Sequence, residues 1–223
     1  GWPVSIIEET PQWTPEFALR FARELERFGV YWLEEPLNRG RFEALAELRR
    51  STSIRIAGGE LNSSWLEFDR MLELGSLDVY QPDAVLIDGS YQGGISASAW
   101  IAGEIARRNA AGGDKADPKS HLRFSPHTWT TGLGFVTNLH LVGLVPEQER
   151  HLLEFPNEGP WNPNSWGRYL RQRFWPDSSG KIRIPEEPGL GVDIDWDVVA
   201  RFGKRVYHGT PATVGYKVLM DRG

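Results

Sequence analysis

Two patterns of apolar and polar residues alternate along the first two thirds of the chain. Short apolar runs predict buried strands, and segments with apolar residues every three or four positions predict amphipathic helices. The strands are predicted at residues 4–7, 31–33, 54–57, 78–81, 122–124 and 151–153. The helices are predicted at residues 17–29, 42–50, 65–75, 95–110 and 133–145.

This strand–helix alternation predicts an α/β fold with a parallel sheet, either doubly wound or closed as a barrel. No glycine-rich dinucleotide motif follows the first strand, which argues against the doubly wound alternative. An ionisable residue follows every predicted strand, and a barrel would bring all of these residues to one pocket. We therefore predict a barrel whose candidate site residues are Glu8, Glu34, Glu60, Asp83, His127 and Glu154.

The alternation stops after the sixth strand. Residues 155–180 are rich in Pro, Asn, Trp and Gly and predict a long loop with one short helix. A short strand is predicted at 181–185 and a last helix at 195–202. Two hydrophilic stretches, 87–92 and 112–121, are predicted to be solvent-exposed loops. We expect a barrel domain over residues 1–195 and a C-terminal helix and tail over 196–223.

Composition narrows the classes of partner. The net charge of −5 and the absence of a basic run argue against nucleic acid. The chain has no cysteine, so any metal must be bound by oxygen or imidazole ligands. No apolar run is long enough to cross a membrane, and no signal peptide is recognisable, so we expect a cytoplasmic protein without a membrane partner.

Five short motifs, each at a predicted strand end, carry a family resemblance. In chain order they are WLEEP, AGGE, QPDAV, FSPHTW and LLEFP, with PGLGVDID near the C-terminus. Together they resemble the mandelate racemase/muconate lactonizing branch of the enolase superfamily. The resemblance implies a modified (β/α)8 TIM-type barrel preceded by an α+β capping domain. This chain would then be a partial barrel lacking the first strands and the N-terminal capping domain.

The resemblance also implies Mg²⁺ as cofactor, held by carboxylates on consecutive strands. Glu34 and Glu60 match two of the metal ligands, and oxygen ligands suit Mg²⁺. Glu8 stands where the family usually has the aspartate of the third ligand, so it is expected to complete the set.

The catalytic residues implied by the resemblance are a histidine and two acids. His127 would be the general base, Asp83 would fix its tautomer, and Glu154 would hold the substrate carboxylate. Trp129 and Glu35 are assigned to substrate binding. The alternatives are core or loop packing for Trp129, and a supporting or salt-bridging role for Glu35.

The predicted function is that of a Mg²⁺-dependent acid-sugar dehydratase, which abstracts the proton α to a carboxylate and expels the β-hydroxyl as water. A racemase or cycloisomerase of the same family is the first alternative, and a catalytically inactive remnant is the second. The expected partners are a small sugar-acid substrate and further copies of the chain in a homo-oligomer.

Overall fold

The computed structural model describes residues 12–84, 94–112, 119, 121–146, 152–159 and 161–204. The predicted strand at 4–7, the candidate ligand Glu8, the loop at 87–92 and the tail beyond residue 204 lie outside these ranges. The expected division of the chain at residue 195 stays a prediction.

Four short parallel strands form the sheet of the described residues. They are β1 (Trp32–Glu34), β2 (Arg55–Gly58), β3 (Val79–Tyr80) and β4 (Arg123–Phe124). Their spatial order is β1-β2-β3-β4, with Leu33 opposite Ile56 and Ala57 opposite Val79. This order follows the chain without a reversal, as in a segment of a barrel, whereas a doubly wound sheet reverses its order at a switch point. The predicted α/β barrel portion is therefore confirmed.

Helices connect the strands and pack against one another in sequence. They are α1 (Pro15–Glu26), α2 (Phe42–Ser51), α3 (Trp65–Leu74), α4 (Gly94–Ala110) and α5 (Gly132–Val142), followed by the short α6 (Pro163–Trp166) and α7 (Trp196–Phe202). Each of the first four helices contacts the next one. The five predicted amphipathic helices are thus confirmed, with ends that shift by a few residues.

The sequence sets the helix ends through local hydrogen bonds. Thr14 caps α1 by accepting from the Phe17 N–H, and Pro15 occupies the first helical position, where its missing N–H costs nothing. Ser64 and Glu67 form a reciprocal capping box at the start of α3. Gly75 ends α3 in the left-handed conformation with φ of 65°, which glycine adopts without strain.

Two apolar clusters stabilise the described residues. The larger one lies between the sheet and helices α1 to α5, and its fully buried members include Ile56, Phe68, Tyr80, Ile105 and Phe124. The smaller one joins α5 and α6 to the C-terminal segment, through Phe135, Val136, Leu139, Trp166, Leu170 and Phe174. The long segment after residue 155 therefore has its own packing, although it contains little regular structure.

Two strand predictions are wrong for the described residues. Residues 152–153 form no strand, and Leu152 is half exposed. Residues 181–185 form no strand either, because Ile182 and Ile184 are held by side-chain packing against the smaller cluster and Pro185 has no N–H to donate to a neighbour.

The prediction that 112–121 is a solvent-exposed loop is wrong at Lys119. Its ammonium is buried and donates to the carbonyl oxygens of Arg49, Thr52 and Ile54 at 2.7–3.1 Å. It also lies 3.2 Å from a carboxylate oxygen of Asp78, which is fully buried.

Asp78 is the centre of this cluster. One of its oxygens accepts from Arg49 Nε at 2.6 Å and the other from the Ile56 N–H at 2.9 Å. Because Asp78 precedes β3 and Ile54 precedes β2, the cluster lies at the amino ends of the strands. At this end of the sheet, the hydrogen bonds and ion pairs of the cluster connect α2, β2 and β3 to Lys119.

Among the described residues, no helix combines the length and the apolar character that crossing a membrane requires.

Candidate active site

The carboxyl ends of the four strands bring the predicted site residues to one edge of the sheet. Glu34 is the last residue of β1, Glu60 follows β2, Asp83 follows β3 and His127 follows β4. Between β2 and Glu60, Gly59 has φ of 116°, and a Cβ there would meet the Phe68 ring at 2.8 Å. Only glycine fits at position 59, so Gly59 of the AGGE motif determines where the Glu60 side chain begins.

His127 is held on both ring nitrogens by carboxylates. Its Nδ1 lies 3.0 Å from Asp83 Oδ2, and its Nε2 lies 3.1 Å from Glu60 Oε2. Asp83 is fully buried and His127 nearly so. A carboxylate at Nδ1 keeps the proton on that nitrogen, which leaves Nε2 as the atom that can accept or release a proton. Asn138 on α5 fixes the backbone by donating to the His127 carbonyl at 2.6 Å.

This environment favours the imidazolium form of His127. Burial is the largest single effect and opposes the charge, but the Asp83 hydrogen bond and the carboxylates of Glu60 and Glu154 together outweigh it. The pKa of His127 is consequently raised to about 9. Without another cation in the site, His127 is protonated at neutral pH and cannot act as a base.

Three acids at the same edge have raised pKa values. Burial raises the pKa of Glu60 to about 7, opposed by His127 and reinforced by Glu35, Glu34 and Glu154. Burial is also the first cause of the raised pKa values of Glu35 and Glu154. The site therefore holds several carboxylates whose charged forms are disfavoured by burial and by their mutual repulsion. A bound cation would stabilise those charged forms.

Glu154 reaches the site although its segment is not a strand. Its Oε1 accepts from Gln81 Nε2 at 3.0 Å and its Oε2 from the Thr128 N–H at 3.0 Å. The Thr128 hydroxyl donates to the Glu154 carbonyl at 2.6 Å. Residues that follow β3 and β4 thus hold the side chain of the predicted acid, Glu154, in position. The sequence reasoning missed Gln81, Thr128 and Asn138 as supporting residues, although Gln81 and Thr128 lie within the quoted motifs.

Glu35 has an unusual backbone for its residue type. Its φ is +40°, in the left-handed region that non-glycine residues seldom adopt, and its side chain is buried. Its Oε1 lies 3.4 Å from the Gly59 N–H, which is a long hydrogen bond. These contacts fit a supporting role for the turn before Glu60, and the assignment of Glu35 to substrate binding stays a prediction.

Trp129 follows the residue that holds Glu154 and is partly exposed. Its ring packs edge-to-face on Trp161, with centroids 6.2 Å apart. The pair offers an aromatic surface beside the site, but the role of Trp129 in substrate binding stays a prediction.

The donor chemistry of this edge fits Mg²⁺. Glu34 and Glu60 end neighbouring parallel strands and offer hard carboxylate oxygens, which Mg²⁺ prefers. Within the described ranges, no three His, Cys, Asp or Glu side chains are already arranged as a metal cluster. Mg²⁺ commonly binds through one or two protein carboxylates and completes its shell with water and substrate oxygens, so two suffice for a fit.

The fold and site together define a parallel α/β protein with an acidic, histidine-containing site at the carboxyl ends of its strands. The chain belongs to the enolase C-terminal domain-like family, whose sequence profile matches residues 7–110 and 118–198, well over half of its length. The family resemblance inferred from the five motifs is therefore confirmed.

Relatives include an enzyme acting on sugar acids. The L-talarate/galactarate dehydratase of Salmonella typhimurium strain LT2 is 33% identical over 207 residues, covering 90% of this chain and 44% of that protein. This chain thus spans less than half the length of that curated relative.

Two solved structures share the fold over most of the chain. The 3,6-anhydro-D-galactonate cycloisomerase from Zobellia galactanivorans superimposes with a TM-score of 0.66 at 26% identity, covering 85% of this chain and 47% of that one. The L-talarate dehydratase from Polaromonas sp. JS666, solved with Mg and L-glucarate, gives a TM-score of 0.64, covering 84% of this chain and 44% of that one. Its identity of 24% establishes the shared fold alone.

Proposed function

We propose that this chain carries the catalytic half-site of a Mg²⁺-dependent acid-sugar dehydratase. The observation that carries the proposal is the Asp83–His127 pair, joined at Nε2 by Glu60 and flanked by Glu154, at the carboxyl ends of parallel strands. The dehydratase among the relatives supports the reaction class, at the modest identity given above.

The proposed ligands of Mg²⁺ are Glu34 and Glu60, with Glu8 as the third. When bound, the ion would supply positive charge that stabilises an enediolate and offsets the crowded carboxylates. Bound positive charge would also offset the carboxylates of Glu60 and Glu154 that raise the pKa of His127, so that Nε2 could accept a proton.

His127 then moves both protons of the reaction. In neutral form, Nε2 removes the proton α to the substrate carboxylate, and the electron pair of that C–H bond passes into the enediolate. The enediolate re-forms the carboxylate as the Cα–Cβ double bond forms and the Cβ–O bond breaks. The departing hydroxyl takes the proton back from His127 and leaves as water. The resulting enol becomes a 2-keto-3-deoxy acid. Asp83 keeps the ring in the tautomer that this requires, and Glu154 holds the substrate carboxylate.

Calorimetry tests the metal half of the proposal. We expect the chain to bind Mg²⁺ with a dissociation constant in the micromolar-to-millimolar range, and Glu60→Gln to abolish binding. Glu186→Gln is the matched control, because the Glu186 carboxylate is exposed and paired only loosely with Arg183 at 3.5 Å. A folded chain that binds no Mg²⁺ would refute the intact half-site and favour the inactive remnant.

A substrate screen tests the reaction. The chain is incubated with Mg²⁺ and a panel of aldonic and aldaric acids, and 2-keto-3-deoxy acids are measured as semicarbazones. His127→Asn should remove all turnover. An epimerised acid would instead identify a racemase, and a rearranged lactone would identify a cycloisomerase, which the Zobellia structure keeps as the second candidate.

A further inference from the structure

The buried ammonium of Lys119 lies among four oxygen atoms at the amino ends of the strands. The carbonyl oxygens of Arg49, Thr52 and Ile54 accept from it at 2.7, 2.9 and 3.1 Å, and Oδ2 of Asp78 lies 3.2 Å away. Only 9% of the Lys119 surface is exposed, and Asp78 is fully buried. We call these four oxygens the cation cradle.

The cradle attracts positive charge for two independent reasons. Arg49 lies in the last turn of α2 and Thr52 follows that helix, so their carbonyl groups belong to the end where the backbone dipoles concentrate partial negative charge. Asp78 adds a carboxylate. Its Oδ1 accepts from Arg49 Nε at 2.6 Å, which leaves Oδ2 for the cradle and for the Ile56 N–H. A cation is therefore favoured in this place even if it is not attached to the chain.

The distances within the cradle select the class of cation. They are longer than the metal–oxygen distances of Mg²⁺, about 2.0–2.1 Å, and of Ca²⁺, about 2.3–2.6 Å. They match the N–H···O hydrogen bonds that an ammonium group makes. Backbone carbonyl oxygens are also the groups with which proteins replace the hydration shell of K⁺. The cradle thus suits a monovalent cation of ammonium or potassium size and not a compact divalent ion.

The cradle does not depend on the Lys119 side chain for its shape. Its three carbonyl oxygens belong to the backbone, at the end of α2 and beside the buried Ile54. The backbone of Lys119 is itself held by Arg49, whose Nη2 donates to the Lys119 carbonyl at 3.2 Å. Shortening the Lys119 side chain should therefore remove the cation and leave the oxygens in place.

We propose that the cradle is a monovalent-cation site that the chain fills with its own lysine, and that it binds K⁺ or NH₄⁺ when the Lys119 ammonium is removed. The proposal is separate from the proposed function. The cradle lies at the opposite ends of the strands from His127, and its test needs neither Mg²⁺ nor substrate.

The first measurement is urea unfolding of Lys119→Ala in the chlorides of choline, K⁺, NH₄⁺ and propylammonium at one ionic strength. In choline chloride the variant should unfold at lower urea than the unsubstituted chain, because choline is too large for the cradle and has no N–H to donate. The other three cations should each recover at least about half of the lost midpoint, and the gain should saturate with concentration, as for any ligand of the folded state.

Two variants serve as controls. Lys119→Met fills the same space with an uncharged side chain, and Lys204→Ala removes an exposed lysine. Neither should gain more from K⁺ than the unsubstituted chain does. A Lys119→Ala midpoint that also follows the unsubstituted chain from salt to salt would overturn the proposal. If Lys119→Ala is unfolded in choline chloride, K⁺ should refold it, and a variant that none of the salts refolds would count equally against the proposal.

The second measurement needs no substitution. The lysine ammonium groups of the unsubstituted chain are observed by ¹⁵N NMR, and Lys119 is assigned through its side-chain carbons. Its ammonium protons should exchange with water at least about tenfold more slowly than those of the exposed Lys204, because buried carbonyl oxygens hold them. Equal exchange rates would show that the cradle does not retain a cation and would overturn the proposal.

Discussion

At the scale of single residues, His127 connects the end of β4 to acids that follow two other strands. The Asp83 contact at Nδ1 and the Glu60 contact at Nε2 both stabilise the imidazolium form. The same contacts make the folded chain sensitive to pH, since an unfolded histidine titrates near its ordinary pKa of about 6.5.

We predict that the chain without Mg²⁺ loses stability as the pH rises from about 6.5 to about 9. The folded pKa of His127 is raised to about 9, so its stabilising contribution is complete below the unfolded pKa and disappears as the pH passes the folded one. The loss should be on the order of 3 kcal/mol. Urea unfolding in EDTA at several pH values measures it, and His127→Gln should flatten the dependence.

Asp83→Asn should lower the pKa of His127 by at least about one unit, because a buried negative charge beside Nδ1 is replaced by a neutral amide. The His127 Hε1 resonance, followed by NMR titration without metal, gives the value directly. Asp177→Asn, in an exposed turn, is the control. An unchanged midpoint in Asp83→Asn would show that Glu60 and Glu154 alone raise the pKa.

At the scale of elements, the cluster around Asp78 and Lys119 stabilises the amino ends of the strands, as the packed core stabilises their middle residues. Lys119 satisfies three carbonyl oxygens and one carboxylate, so its removal leaves several buried acceptors short of a donor.

We predict that Lys119→Met lowers the free energy of unfolding by about 3 kcal/mol, as expected when one partner of a buried ion pair is removed. Lys204→Met, at an exposed lysine, should change it by less than about 0.5 kcal/mol. Chemical denaturation of both variants measures the difference. A loss for Lys119→Met as small as that of the control would mean that Arg49 alone is enough to satisfy Asp78.

The elements also show how far sequence reasoning reaches. Periodicity located the five main helices and all four strands of the described sheet, because burial on one face leaves a repeating pattern. It gave the wrong answer at Lys119, whose ammonium caps backbone carbonyl groups, a role that no pattern of side chains reveals. It also gave strands at 151–153 and 181–185, whereas the described residues there, 152–153 and 181–185, form no strand.

The site was predictable to a similar extent. Acids at strand ends identified the edge and the residues now found together there, because parallel strands bring their carboxyl ends into one place. The sequence did not reveal that Glu60 faces His127, or that Gln81 and Thr128 hold Glu154. Those contacts depend on side chains far apart in the chain. The metal and substrate roles of the individual residues stay predictions.

At the scale of the whole molecule, we predict a homo-oligomer, as the family resemblance implies. Phe17 and Phe21 on α1 are partly exposed and lie with their rings 6.2 Å apart, which leaves apolar surface that association would cover. Light scattering coupled to size exclusion should give a mass of two or more copies. A mass of one copy across a hundredfold range of concentration would contradict the prediction.

The separation of the Asp78–Lys119 cluster from the acidic site has a practical consequence for protein engineering. One holds the strands at their amino ends and the other uses their carboxyl ends, so substitutions in the two places should combine almost additively. A chain altered at His127 should therefore respond to Lys119→Met as the unsubstituted chain does. On the proposed function, such a variant would bind a sugar acid without turning it over, and tryptophan fluorescence would report the binding.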